Sequence, residues 1–290
     1  MRLSARVPAT SANLGPGFDC FALALELCNE VIVDTDAEPG VTWEGEGARE
    51  LPTDGTDLIS RAMRHVEGLA SGSRRPLPAF HLHGVNRIPL ASGLGSSSAA
   101  AVAGAALASV LVGVTGDDLH GVFRVAAELE GHPDNAAAAV FGGFTLAMPD
   151  GAVRRLEPHP DLRPVVWIPS SERLPTEEAR RALPPTVPLI DAVHNVAHAA
   201  LMVEALTRDP SVLATAMRDR LHQDARLALV PSVRAMFDRL QQAGVPVCVS
   251  GAGPSLLSFE REGHPMPAPA PGWRSLRIPV RAAGVEVTRG

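Results

Sequence analysis

Lysine is absent from this chain of 290 residues, so all 26 basic side chains are arginine. That rules out the common phosphate loop G-x-x-x-x-G-K-[ST], which needs its lysine. Cysteine is scarce. Cys20, Cys28 and Cys248 are odd in number and form no C-x-x-C pair, which points to reduced thiols rather than disulfides or a thiolate metal site. A net charge of −6 gives no general attraction to nucleic acid or to an anionic membrane. No apolar run is expected to span a membrane, and MRLSARVPATSANLG has no apolar core of signal-peptide length, so a cytoplasmic protein is expected. The ten histidines include no H-E-x-x-H pattern. His194 and His198 stand four apart on an expected helix with no acidic third ligand nearby, which favours packing over zinc.

What is present alternates strand and helix signals. Arg2 to Ala9, Phe21 to Leu27 with NEVIVDTD, and Ala79 to Val85 read as strands, with His81 and His83 on one strand face. Leu58, Ile59, Ala62, Met63, Val66 and Leu69 fall on one helical face, with Thr56 or Asp57 as its N-cap. SSSAAAVAGAALASVLV, running to Gly113, is a helix with small residues on nearly every side, hence a buried one. Asp117 or Asp118 caps the next helix, and Gly142 to Met148 returns as a strand. Residues 149–164 are rich in proline and charge and read as a domain seam. Beyond it come a strand at VVWIP, helices over 191–207 and 231–243, and two strands around a glycine turn in PVCVSGAGPSLLSF. Gly263 to Gly272 reads as a proline-rich surface loop. The class is α/β or α+β, in two domains split near residue 155: 1–155 and 156–290.

IPLASGLGSSSAAA (Ile88 to Ala101) places two glycines and three serines at the start of the alanine helix. A helix N-terminus offers unpaired N–H groups and a partial positive charge. Gly93 and Gly95 leave room for a phosphate, and Ser96, Ser97 and Ser98 add hydroxyls. Backbone amides, helix dipole and a metal ion can together replace a lysine. A plain glycine turn with a serine N-cap fits this stretch equally well on its own.

Two further segments, PATSANLGPGFD (Pro8 to Asp19) and VSGAGPSLL (Val249 to Leu257), occur with PLASGLGSSSAA in the order and spacing of the GHMP kinase superfamily. ANLGPGFD and EGHPDN (Glu130 to Asn135) resemble its homoserine kinase branch, and the resemblance runs essentially end to end. It implies an α+β two-domain GHMP kinase fold: an N-terminal domain like ribosomal protein S5 domain 2, and a C-terminal ferredoxin-like domain. It implies transfer of a phosphoryl group from ATP to L-homoserine on the route to threonine, with Mg2+ as cofactor, no nucleic-acid or membrane partner, and a homodimer. Another small-alcohol kinase of the superfamily, or an inert ATP-binding regulator on the same fold, stays open as an alternative.

By motif position, the resemblance puts ATP on Pro89, Leu90, Ala91, Ser92, Gly93, Leu94, Gly95, Ser96, Ser97, Ser98 and Ala99. It makes Ser97 and Glu130 magnesium ligands; both are hard oxygen donors. Glu130 ends a helix, where the dipole does not favour a carboxylate. Asn13 and Asp19 match amino-acid-binding positions, Asp19 as partner of the ammonium. His132 and Asn135 lie near the substrate, with Asn135 close to the reacting hydroxyl. Arg180 of TEEAR and Arg226 of HQDAR match positions that hold the carboxylate, a task suited to the guanidinium fork. Read without the resemblance, Asn13 is an Asx-turn residue and His132 to Asp134 a turn after a helix. The chain departs from the family where HQDAR lacks a proline–aromatic pair, where Cys28 replaces an aromatic, and in having no tyrosine.

Overall fold

The computed structural model describes residues 1–69, 75–114, 118–261 and 263–290. Its first half builds a sheet from β1 (Arg2–Ala12), β2 (Phe21–Asp34), β3 (Gly40–Gly45), β4 (His81–Asn86), β5 (Phe144–Ala147) and β6 (Val153–Leu156). FALALEL and NEVIVD are one strand, β2, which carries antiparallel pairings to β1, β4 and β5. Strand β3 runs parallel to β4. Both His81 and His83 approach the Thr42 hydroxyl across that pairing, at 3.0 and 2.9 Å, so they do share a strand face.

Four helices are interleaved with these strands: α1 (Leu58–Leu69) between β3 and β4, and α2 (Ser96–Leu111), α3 (Leu119–Glu130) and α4 (Asp134–Phe141) between β4 and β5. Asp57 caps α1 by accepting from the Ser60 N–H at 2.9 Å. Asp118 caps α3 by accepting from the Gly121 N–H at 2.8 Å; Asp117 lies outside the described residues. As expected, α2 is buried on nearly every side. Its alanines let α1, α3 and β1 pack close. Helix α4 is an addition to the sequence reading, which has only a turn at His132 to Asp134.

The second half forms a separate antiparallel sheet from β7 (Pro164–Pro169), β8 (Val247–Val249), β9 (Leu256–Phe259) and β10 (Trp273–Arg277). Its order is β10-β7-β9-β8, the ferredoxin-like 4-1-3-2 arrangement. Between β7 and β8 lie α5 (Thr176–Arg181), α6 (Leu189–Thr207), α7 (Leu213–Ala216), α8 (Gln223–Leu229) and α9 (Pro231–Gln242). Alternation along β7 serves two cores. Val165 and Trp167 pack with Val233, Met236 and Leu240 of α9, while Val166 and Ile168 join the large core shared with the first sheet. The expected α+β class is borne out. The last strand, β11 (Glu286–Arg289), pairs with β1, so the end of the chain completes the first sheet.

Against expectation, α6 is by length and composition long and apolar enough to cross a membrane. It is nevertheless tied to the protein. Asp191 pairs with Arg220 at 3.1 Å, Asn195 is buried, and Met202, Ala205 and Leu206 sit fully in the core. A carboxylate within a bilayer is costly, and α6 carries Asp191 and Glu204. Rings of His194 and His198 stack at 3.7 Å, and no group of three metal-ligating side chains occurs among the described residues.

Candidate active site

A cleft of about 350 Å³ opens between the halves. It brings together Asn13, Asp19, Glu130, His132, Asn135, Arg180, Arg226 and the loop residues Leu90 to Gly93 and Gly95 to Ala99. Two of the expected loop residues face elsewhere. Leu94 is buried in the core, its carbonyl accepting from the Thr10 N–H at 3.0 Å, and the Pro89 carbonyl accepts from the Ser92 hydroxyl at 2.8 Å.

The N-terminus of α2 faces this cleft without a capping side chain. Its N-cap is Gly95, at φ 70°, and no side chain bonds there. This excludes the serine-cap reading and leaves the first-turn N–H groups free of side-chain acceptors. The serine hydroxyls turn instead to the end of α3. Ser97 donates to Glu130 Oε2 at 2.8 Å and Ser98 to the same oxygen at 2.6 Å. The mismatch of a carboxylate at the C-terminus of α3 is thereby resolved, because that carboxylate lies at the positive end of α2. Ser97 Oγ and Glu130 Oε2 also fit a magnesium ion. Their 2.8 Å separation is close to the ~2.9 Å edge of an octahedron of oxygens at 2.0–2.1 Å from the metal.

The two loop glycines are required for contacts within the protein as well. A Cβ on Gly93, at φ 82°, would run into the Ser250 carbonyl of the turn between β8 and β9. One on Gly95 would run into Thr10 Oγ1 and press on Asn135 Oδ1. Both glycines thus allow three distant segments to meet. Thr10, which the sequence reading overlooks, is fully buried and donates to Asn135 Oδ1 at 2.7 Å. With the oxygen so engaged, the amide of Asn135 has only N–H groups to offer the cleft, and its nitrogen also donates weakly to Asp134 Oδ1 at 3.5 Å.

His132 stands between carboxylates. Its Nδ1 donates to Asp134 Oδ1 at 3.0 Å, and its Nε2 is 4.0 Å from Glu130 Oε2. Burial, the largest single influence, acts to lower its pKa. The hydrogen bond and charge of Asp134, with the charge of Glu130, outweigh it and raise the pKa above the ordinary histidine value.

The opposite wall is built by the β1–β2 loop and by α5 and α8. In that loop Asn13, Leu14 and Asp19 hold positive φ (66°, 51° and 55°), a conformation costly for side-chain-bearing residues and concentrated at functional sites. Asn13 holds the loop by a longer reach than the two-residue bond of an Asx turn: it accepts from the Asp19 N–H, six residues on, at 3.0 Å, and donates to the Gly251 carbonyl at 2.9 Å. Asp19 accepts both terminal nitrogens of Arg180, at 2.9 and 2.7 Å. The residues expected to read opposite ends of an amino acid therefore meet each other.

Arg226 differs. It is 4% exposed, has no carboxylate partner among the described residues, and keeps an unbonded Nε. Its Nη1 donates to the Gly251 carbonyl at 2.6 Å and to His222 Nδ1 at 3.1 Å. Burial, then the charge of Arg180, lowers its pKa to about 10, so it stays cationic at neutral pH. The Phe18 ring lies 5.8 Å from the Arg180 guanidinium and 5.4 Å from that of Arg226. Phe18 and His222 were both missed from sequence. Phe18 lies within PATSANLGPGFD and His222 opens HQDAR, but neither motif says which ring meets a guanidinium. The other end of the cleft is apolar, lined by Val31, Trp43, Leu51, Leu58 and Ile59, also missed: Val31, Leu58 and Ile59 read only as strand or helix faces, and Trp43 and Leu51 carried no reading.

Comparison with known proteins identifies relatives of this chain. Residues 57–143 match the family described as GHMP kinases N terminal domain, and residues 201–264 match GHMP kinases C terminal. A curated homoserine kinase of Streptomyces avermitilis is 44% identical over 97% of this chain and 94% of its own length. One from Thermus thermophilus is 46% identical over 90% of this chain and 88% of its own. The crystal structure of homoserine kinase from Cytophaga hutchinsonii shares the fold, with a TM-score of 0.81 at 24% identity over 99% of this chain and 97% of that one.

Proposed function

Since the chain belongs to the homoserine kinase family of GHMP kinases, we propose that it transfers the γ-phosphoryl group of ATP to the side-chain hydroxyl of L-homoserine, giving O-phospho-L-homoserine on the way to threonine. One observation carries the substrate reading: Arg226 is a buried cation with no carboxylate partner among the described residues, lining the cleft beside the Asp19–Arg180 pair. A buried charge is costly unless paired. The carboxylate of an α-amino acid supplies that pair, and Asp19 receives the ammonium while Arg180 bridges Asp19 and the carboxylate.

The nucleotide phosphates take the uncapped α2 N-terminus, and the adenine takes the apolar end around Val31, Trp43 and Leu58. Ser97 and Glu130 would hold Mg2+, which neutralises phosphate charge when bound. Asn135 orients the acceptor hydroxyl through its N–H groups, since an amide cannot take a proton at neutral pH. His132 is engaged with the carboxylates on either side, donating from Nδ1 to Asp134 at 3.0 Å with its Nε2 4.0 Å from Glu130. The proton leaves late, to the phosphoryl oxygens, as a loose transition state permits. The division near residue 155 assigns ATP to the first half and the carboxylate to the second, with Glu286–Arg289 returning to the first sheet. A homodimer is part of the same reading, and sedimentation checks it.

The deciding experiment is coupled ADP release with Mg-ATP against homoserine, threonine, serine and mevalonate. Turnover led by homoserine is expected; turnover led by mevalonate, or none with any alcohol, overturns the reading.

A further inference from the structure

His222 sits between the first glycine-rich loop and the second half of the chain. It is 1% exposed. Its Nε2 is 2.8 Å from the Gly15 carbonyl, which only accepts. Its Nδ1 is 3.1 Å from Arg226 Nη1, which only donates. These two partners dictate one form of the ring: neutral, with the proton on Nε2. A second proton on Nδ1 would face the guanidinium and break that contact. Burial, the largest influence, lowers the pKa of the imidazole to about 4, against a smaller opposing pull from Asp219 Oδ2 at 3.8 Å. The Phe18 ring packs on the imidazole at 5.3 Å and on both arginines.

We propose that His222 is the positioning residue for Arg226. By accepting from Nη1 at one ring nitrogen while anchored to Gly15 by the other, it fixes the plane of the guanidinium fork, and that orientation sets the preference for an α-amino acid over a plain amino alcohol. The proposal rests on the reading of Arg226 as the carboxylate partner. A bidentate pair requires a fixed fork; Phe18 packs on the guanidinium, while the bond to the Gly251 carbonyl uses the same Nη1 and leaves rotation about it free.

The test compares homoserine with 3-aminopropan-1-ol, which lacks only the carboxylate. Asparagine puts an amide oxygen near the place of Nδ1, and glutamine puts an amide nitrogen near that of Nε2. His222→Asn is therefore expected to keep the wild-type preference, because it still accepts from Arg226. His222→Gln keeps the link to Gly15 and is expected to lose about tenfold in preference, the size of one hydrogen bond to a charged group. His222→Ala, which retains neither group, should show at least the same loss. The KM for ATP should stay constant throughout. Preference retained in the glutamine or alanine variant, or lost equally with asparagine and glutamine, overturns the proposal, as does a parallel fall on both substrates. Arg226→Ala separates the premise: an unchanged preference there overturns the carboxylate reading itself, whereas a loss there with none in His222→Gln overturns only the role of His222.

Discussion

Arg180 grips Asp19 with both terminal nitrogens, at 2.9 and 2.7 Å, joining the first glycine-rich loop to helix α5 across the cleft. Each side chain is about a third exposed, so solvent screens the pair and its contribution to stability is small. Asp19→Asn and Arg180→Gln should each cost less than about 1 kcal/mol of stability in denaturant titrations. In homoserine kinetics each should lose on the order of tenfold to a hundredfold in kcat/KM, the worth of a charge-assisted hydrogen bond. A large stability loss with unchanged kcat/KM would make the pair a strut rather than a substrate contact.

Glu130 holds two serine hydroxyls on a single oxygen. Ser97→Ala and Glu130→Gln should raise the magnesium concentration needed for half-maximal rate. They should also lower kcat by roughly two to three orders of magnitude, as loss of a transition-state donor does. Ser98 is fully buried and only supports Glu130, so Ser98→Ala should have the milder effect. Rate measurements across a magnesium series order the three variants.

Gly95 is crowded by a side chain and Gly93 by backbone. Gly95→Ala should destabilise by about 1–3 kcal/mol through overpacking and disturb Asn135. Adding Thr10→Ala removes the obstructing hydroxyl and should recover part of that loss. No side-chain deletion can relieve Gly93→Ala, because its obstacle is the Ser250 carbonyl. Thermal unfolding of the two single variants and the double variant reads this directly.

The two site histidines give pH dependences in opposite directions. His132 has a raised folded pKa, so its stabilisation is full below about 6.5 and lost as pH rises through the higher folded value. His222 has a folded pKa of about 4, so the folded protein keeps it neutral where the unfolded chain would protonate it. Stability from His222 is present above about 6.5 and falls away toward pH 4, by about 3 kcal/mol in all. Denaturant titrations between pH 4 and 9 should show His132→Gln losing less than wild type on the alkaline side. They should show His222→Asn losing less on the acid side. A parallel offset at every pH would remove both assignments.

The sequence by itself determined most of the longer strands and helices, though not β3, α4, α5, α8 or β10, together with the buried character of α2 and the three glycine-rich segments, because hydrophobic period and glycine placement are local signals. It also placed the charged residues that converge on one cleft: Asp19, Glu130, His132, Arg180 and Arg226. Tertiary structure alone decided how they pair. The Thr10–Asn135 and His222–Gly15 bonds join residues 125 and 207 positions apart, and no local pattern encodes a hydrogen bond over such a distance. The same holds for β11, four residues whose pairing with β1 depends on where the second half brings the chain, and for Gly95, whose obligatory hydrogen is dictated by a threonine 85 positions earlier in the sequence. Local propensity selects the elements. Burial then favours the polar groups that find each other, because a buried donor or acceptor left unpaired is costly.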